Sequence, residues 1–136
     1  MFGSRYYVES SPIFPLEKTA MNINLDMIGR NDTNFVNVSG FTTCAEFQSL
    51  VENENKKIGL TIKKRKGISW SDHVPFYRKK IPVLGFNTGT HADYHKISDT
   101  ADKCFFDGMS EICRLVYNVA WRLANDEKRS EFISTK

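Results

Sequence analysis

Residues 20–28 alternate apolar and polar side chains, with Ile23 and Leu25 set between Asn22, Asn24 and Asp26. A period of two predicts a β-strand with one apolar face, and Gly29 predicts the turn after it. The run 35–39, closed by Gly40, predicts a second strand. Residues 60–64 predict a third, with Leu60 and Ile62 on one side. Residues 81–86 form the most apolar run and predict a strand buried on both faces.

Helical spacing appears at Phe47, Leu50, Val51 and Ile58, which predicts a helix over 43–58. Thr43 with Glu46 three residues on is a capping-box pattern, and Gly59 suits its end. A short helix is predicted over 72–79, with Pro75 in its first turn. A long one runs from an Asp107 cap to about residue 125. Its apolar stripe is Met109, Ile112, Cys113, Val116, Val119, Ala120 and Leu123. Residues 4–9 read as the end of a further helix, before Pro12 and Pro15 impose extended structure. Residues 1–125 thus make one body, and the polar residues 126–136 are expected to fray. Strands alternating with helices predict an α/β fold, a sheet with helices packed against it.

Composition narrows the function classes. A chain of 136 residues with 40% hydrophobic side chains has the size and core of one domain. No apolar run approaches the roughly 18 residues of a membrane span, and the first residues show no secretory signal pattern. The net charge of +3 is too mild to imply nucleic acid. The basic run 63–66, near Lys56 and Lys57 but diluted by Glu52 and Glu54, reads as a charged strand edge that discourages pairing. Cys44, Cys104 and Cys113 lie far apart with no CxxC pair, which argues against a zinc finger and leaves a single disulfide open.

Candidate chemistry collects after the fourth strand, in 89–100. This loop holds His91 and His95, with Asp93, Tyr94, Ser98, Asp99 and Thr100 beside them. Polar, metal-capable side chains at the end of a buried strand are where α/β proteins place ligand sites. Asp26 is the second candidate. A carboxylate among apolar neighbours needs a partner, and backbone donors, Arg30 or a metal each supply one. His95 reads as a metal ligand or as a plain loop histidine; as a ligand its second nitrogen needs an acceptor, which Asp93, Asp99 or a loop carbonyl could supply. His91 has HxxxH spacing to His95, but the Gly89 context opposes a helix and His91 is set aside. Ser71 and Asp72 read as caps of the short helix, compatible with a place near the site.

Three stretches together resemble peptidase family M28, the co-catalytic zinc aminopeptidases with leucyl aminopeptidase-like members. They are Asn24-Leu25-Asp26-Met27-Ile28-Gly29-Arg30, Ser71-Asp72-His73-Val74-Pro75-Phe76, and the run from Gly89 to Thr100. The resemblance extends from Gly3 to Asn125. It implies a three-layer α/β/α zinc-peptidase (phosphorylase/hydrolase-like) domain with a mostly parallel mixed sheet. It also implies hydrolysis of N-terminal peptide bonds at two zinc ions, a peptide or aminoacyl substrate, and an exported parent protein, periplasmic or secreted. By the resemblance, Asp26 and His95 are metal ligands and Tyr94 is the catalytic hydroxyl that stabilises the oxyanion. Asp72 and Asp99 then lie near the site.

In that family a His-x-Asp motif and a Glu-Glu pair precede the stretch resembling residues 3–7, and this chain is read as holding neither anywhere. The expectation is therefore a C-terminal part of the domain, its N-terminal half missing. Zinc is expected to be held weakly or not at all, and the chain alone to be inactive. Its first strand is expected to have an open edge, favouring a dimer. The alternatives are a non-catalytic relative serving as an interaction or structural module, or a fragment of a glutaminyl-cyclase-like enzyme with a similar Asp-His-x-Pro-Phe stretch.

Overall fold

The computed structural model describes residues 1–134. Helices α1 (Phe2–Glu9), α2 (Phe47–Asn55), α3 (Val74–Arg78) and α4 (Phe106–Ala124) surround four strands. The strands are β1 (Asn22–Asp26), β2 (Phe35–Ser39), β3 (Thr61–Lys64) and β4 (Val83–Asn87). They lie in the order β1-β4-β2-β3. Two of the pairings, β1 with β4 and β2 with β3, are parallel, and β2 with β4 is antiparallel. The mostly parallel mixed sheet expected from the sequence is the one found.

Register sorts the side chains. Ile23 pairs with Leu84, Leu25 with Phe86, Phe86 with Val38, and Val36 with Ile62. Because strand side chains alternate, these residues share one face. Phe47 and Val51 of α2 and Ile112, Leu115, Val116 and Val119 of α4 cover that face and complete the core. The opposite face carries Asn24, Asp26, Asn37, Ser39, Gly85 and Asn87. It meets α3, whose preceding His73 lies flat on Gly85: a Cβ there would come within 2.9 Å of the imidazole. Helix α1 packs on α3, with the Tyr7 and Phe76 rings 6.0 Å apart. Helices therefore cover the sheet on both sides.

Several local expectations change. No capping box forms at Thr43, which is fully buried. Its hydroxyl accepts from Val83 N at 3.0 Å and lies 2.7 Å from the Gly40 carbonyl oxygen, tying the start of β4 to the turn after β2. That turn requires glycine: Gly40 has φ +87°, and a Cβ would sit 2.1 Å from the Val83 carbonyl oxygen. Glu46 instead accepts from Cys44 Sγ at 2.6 Å, and α2 begins only at Phe47. Asp107 does not cap α4 either. The cap position is Phe105 and Asp107 lies in the first turn, where a carboxylate still suits the helix dipole. The α4 stripe is rotated from the expected one, since Cys113 faces solvent and Leu115 is buried. All three cysteines are free.

Of the tail 126–136 expected to fray, residues 135–136 lie outside the described residues, and the stretch 129–133 makes contacts with the rest of the chain. Arg129 donates to the carbonyls of Glu17 and, at 2.6 Å, Thr19. Ile133 N donates to the Thr43 carbonyl at 2.8 Å. The Phe132 ring packs on Tyr77 with centroids 5.5 Å apart.

Candidate functional site

Asp26 ends β1 on the polar face of the sheet. Its register partner is Asn87, the last residue of the parallel neighbour β4. Parallel strands finish at the same edge of a sheet, so Asp26 and the root of the 89–100 loop emerge side by side. The loop is pinned there twice. Thr88 Oγ1 donates to the Met27 carbonyl, and Gly89 N donates to Asn87 Oδ1 at 3.0 Å. Asn37 donates to the same Asn87 oxygen at 3.2 Å, and Arg65 donates to Asn37 at 3.0 Å.

Asp26 finds neither backbone donors nor Arg30. Its Oδ2 accepts from Asn24 Nδ2 at 3.0 Å and from Ser71 Oγ, and Asn24 also donates to Ser71 Oγ at 3.3 Å. Among the described residues no hydrogen bond reaches Oδ1. Asn24 lies two residues before Asp26, so strand periodicity alone puts both on one face, a signal that could have singled it out. Ser71 was legible only as a cap. Its side chain does not cap α3, and neither does that of Asp72, since the cap position is His73, with no side-chain hydrogen bond.

Asp72 turns toward α1, accepting from Ser4 Oγ at 2.6 Å and lying 3.1 Å from the amino terminus. Those two donors, Ser4 first, hold its carboxyl below the usual range. His73 is 1% exposed. Its Nε2 is 3.3 Å from Ser69 Oγ, while Nδ1 is buried with no partner among the described residues. Burial pushes its pKa below the ordinary 6.5, so the ring is neutral at pH 7.

The 89–100 loop is a chain of turns rather than a helix. Tyr94 N donates to His91 O at 3.0 Å, Lys96 N to Asp93 O at 2.9 Å, and Asp99 N to Lys96 O at 3.1 Å. His95 has φ +56°, a left-handed conformation that polar residues such as His tolerate better than most. Its ring stacks on Tyr94 with centroids 3.9 Å apart, and both side chains reach solvent. Neither Asp93 nor Asp99 orients His95, contrary to the sequence expectation. Both bind Arg30, at 3.2 and 2.6 Å, and Asp93 also binds Lys103 at 2.9 Å. Lys103 first, then Ser98 and Arg30, hold the Asp93 carboxyl far below its ordinary range. Asp99 Oδ2 is 4.0 Å from His91 Nε2. His91-Ala92-Asp93 does spell His-x-Asp, but Asp93 is occupied by two cations and His91 Nδ1 is buried without a partner. Among the described residues, no three His, Cys, Asp or Glu side chains gather closely enough to hold a metal ion.

The family model described as peptidase family M28 matches residues 1–120. Leupeptin-inactivating enzyme 1 of Streptomyces exfoliatus is 31% identical over 104 residues, which are 76% of this chain and 23% of that protein. The structure of BSAP, a zinc aminopeptidase from Bacillus subtilis, superposes with a TM-score of 0.74 at 21% identity, over 98% of this chain and 36% of that one. A leucine aminopeptidase precursor from Bacteroides thetaiotaomicron gives a TM-score of 0.72 at 21% identity, over 92% of this chain and 44% of that one. This chain therefore spans less than half the length of each of these relatives, and its likeness to the two solved structures is one of fold.

Proposed function

We propose, since this chain belongs to peptidase family M28, that its site is one part of a zinc-dependent aminopeptidase centre that cleaves N-terminal peptide bonds. In this reading Asp26 and His95 are the ligands the chain contributes. Tyr94 offers its hydroxyl to the oxygen of the scissile carbonyl, where negative charge develops. Asp72 and Asp99 stand nearby, Asp72 bound to Ser4 and Asp99 bound to Arg30. The observation that carries the reading is the Asp26–Asn87 register pair, which sets the acid beside the root of the loop bearing Tyr94 and His95.

The residues present do not complete a zinc site. Protein zinc sites use three or four protein ligands, and no third His, Cys, Asp or Glu joins a group among the described residues. The chain's own contribution is therefore to position groups: Asn24 and Ser71 fix one oxygen of Asp26, and the Tyr94 ring steadies His95 by stacking.

Calorimetric titration with zinc tests this. The expected result is no saturable micromolar site and no turnover of an aminoacyl anilide. Adding a polypeptide that carries the family's His-x-Asp and Glu-Glu residues is expected to restore zinc-dependent turnover, abolished by Asp26→Ala or His95→Ala. Tight zinc binding by this chain alone overturns the incomplete-site reading. A stable complex without turnover favours the second reading, a non-catalytic module, which the two-ligand inventory also fits. The reading further includes pairing of two copies along β1, which among the described residues pairs only with β4 and leaves Leu25 36% exposed. A monomer by light scattering at high concentration overturns that part.

A further inference from the structure

The loop that carries Tyr94 and His95 has no apolar anchor. Among residues 90–100 none is buried, and Ile97 is fully exposed. Among the described residues its internal backbone hydrogen bonds are three short-range turn bonds, and Ser98 adds one to the Asp93 carboxylate. Its ends are tied, at Thr88 to Met27 O and at Phe105 N to Gly29 O, but its middle is held by charge. One nitrogen, Arg30 Nη2, reaches Asp93 Oδ2 at 3.2 Å and Asp99 Oδ1 at 2.6 Å. These two carboxylates bracket Tyr94 and His95. Lys103 takes the remaining Asp93 oxygen at 2.9 Å. The Arg30 and Asp93 side chains are only 19% and 18% exposed, so water screens their pairing less than it screens a surface pair.

We propose that Arg30 is a positioning residue for the site: it staples both flanks of the Tyr94–His95 turn to the segment leaving β1, and so sets where the imidazole stands relative to Asp26. Arg30 follows Asp26 by four residues, so the staple joins the two parts of the site through the shortest stretch of chain available. A planar guanidinium suits this task because its Nη2 carries two N–H donors in fixed directions, enough for one to each carboxylate. Lysine has donors for both acids, but on a flexible stem whose freely rotating ammonium does not fix where the two carboxylates stand. A left-handed His95 also needs an external restraint, since that backbone conformation is intrinsically uphill. The proposal uses the reading of Tyr94 and His95 as site residues, but its readouts involve neither zinc nor turnover, so the two can fail separately.

The experiment compares Arg30→Gln, Arg30→Lys and, as a charge-matched control, Arg114→Gln, which removes an exposed partner of Glu111 on α4. Amide hydrogen exchange and the Tyr94–His95 inter-ring contact are followed by NMR. Arg30→Gln is expected to speed exchange at Tyr94, Lys96 and Asp99 by about tenfold and to abolish the inter-ring contact. Amides of β4 and α4 should keep wild-type protection. Arg30→Lys should restore part of both signals, and Arg114→Gln should leave both unchanged. Retained loop protection and ring contact in Arg30→Gln overturn the proposal. So does an equal acceleration through β4 and α4, which would make Arg30 a general stabiliser.

Discussion

The two faces of the sheet are held together by different physics. On one, Ile23, Leu84, Phe86, Val36 and Val38 meet α2 and α4 in a dry core. There burial is non-directional, and any apolar side chain of suitable volume contributes. On the other, Asn24, Asp26, Asn37, Ser39 and Asn87 survive burial only because each has a partner: Ser71 for Asp26, Asn37 for Asn87, Ser69 for Ser39. That face is directional, and every residue depends on a named atom elsewhere. The first face rests on volume and burial; the second rests on specific polar contacts.

Substitutions can break or sharpen this contrast. Phe86→Ala on the apolar face should cost about 3–5 kcal/mol, because Phe86 is 1% exposed at the centre of the core. A loss under about 1 kcal/mol in denaturant titration would remove the distinction. Asn37→Ala on the polar face should cost about 1–2 kcal/mol, since Asn87 keeps Gly89 N while Arg65 loses its acceptor. A cost as large as that of Phe86→Ala would mean that Asn37 acts chiefly by packing.

The smallest effect concerns pH. The folded-state pKa of His73 is depressed by burial below the ordinary 6.5, so the unfolded chain binds the proton first on acidification. The contribution of neutral His73 is therefore complete above about pH 6.5 and falls as pH drops toward the lower folded value. Denaturant midpoints should fall between pH 7 and pH 5, less so in His73→Gln. Identical slopes in the two proteins would show that protonation of His73 is not opposed by its surroundings.

The same contrast explains what could be read from the sequence. All four strands and the α2 and α4 helices are visible because apolar periodicity reports burial directly, and the core lies where Phe47, Val51, Ile112 and Val116 predict it. The polar partners were hidden, because the choice of acceptor is made by the fold. Thr43 has every local mark of a helix cap, yet its hydroxyl serves Val83, far along the chain. Ser71 has the look of a cap for α3 and instead bonds Asp26. Arg30 was legible as a partner for the acid beside it; it joins Asp93 and Asp99, more than sixty residues away. Even in the core, the helical stripe read from sequence differs from the buried one, with Leu115 in place of Cys113 two residues before it.

The strap after α4 bears on where this unit can be cut. The family match stops at residue 120, and helix α4 at Ala124. A boundary drawn at either place would sever Arg129 from Thr19, a contact that closes 110 residues of chain. It would also remove Ile133 from the Thr43 carbonyl and Phe132 from its contact with Tyr77. Sequence kinship and mechanical closure thus end at different residues, and a version ending at 124 should unravel first at its amino-terminal turn around Glu17 and Thr19, far from the cut itself.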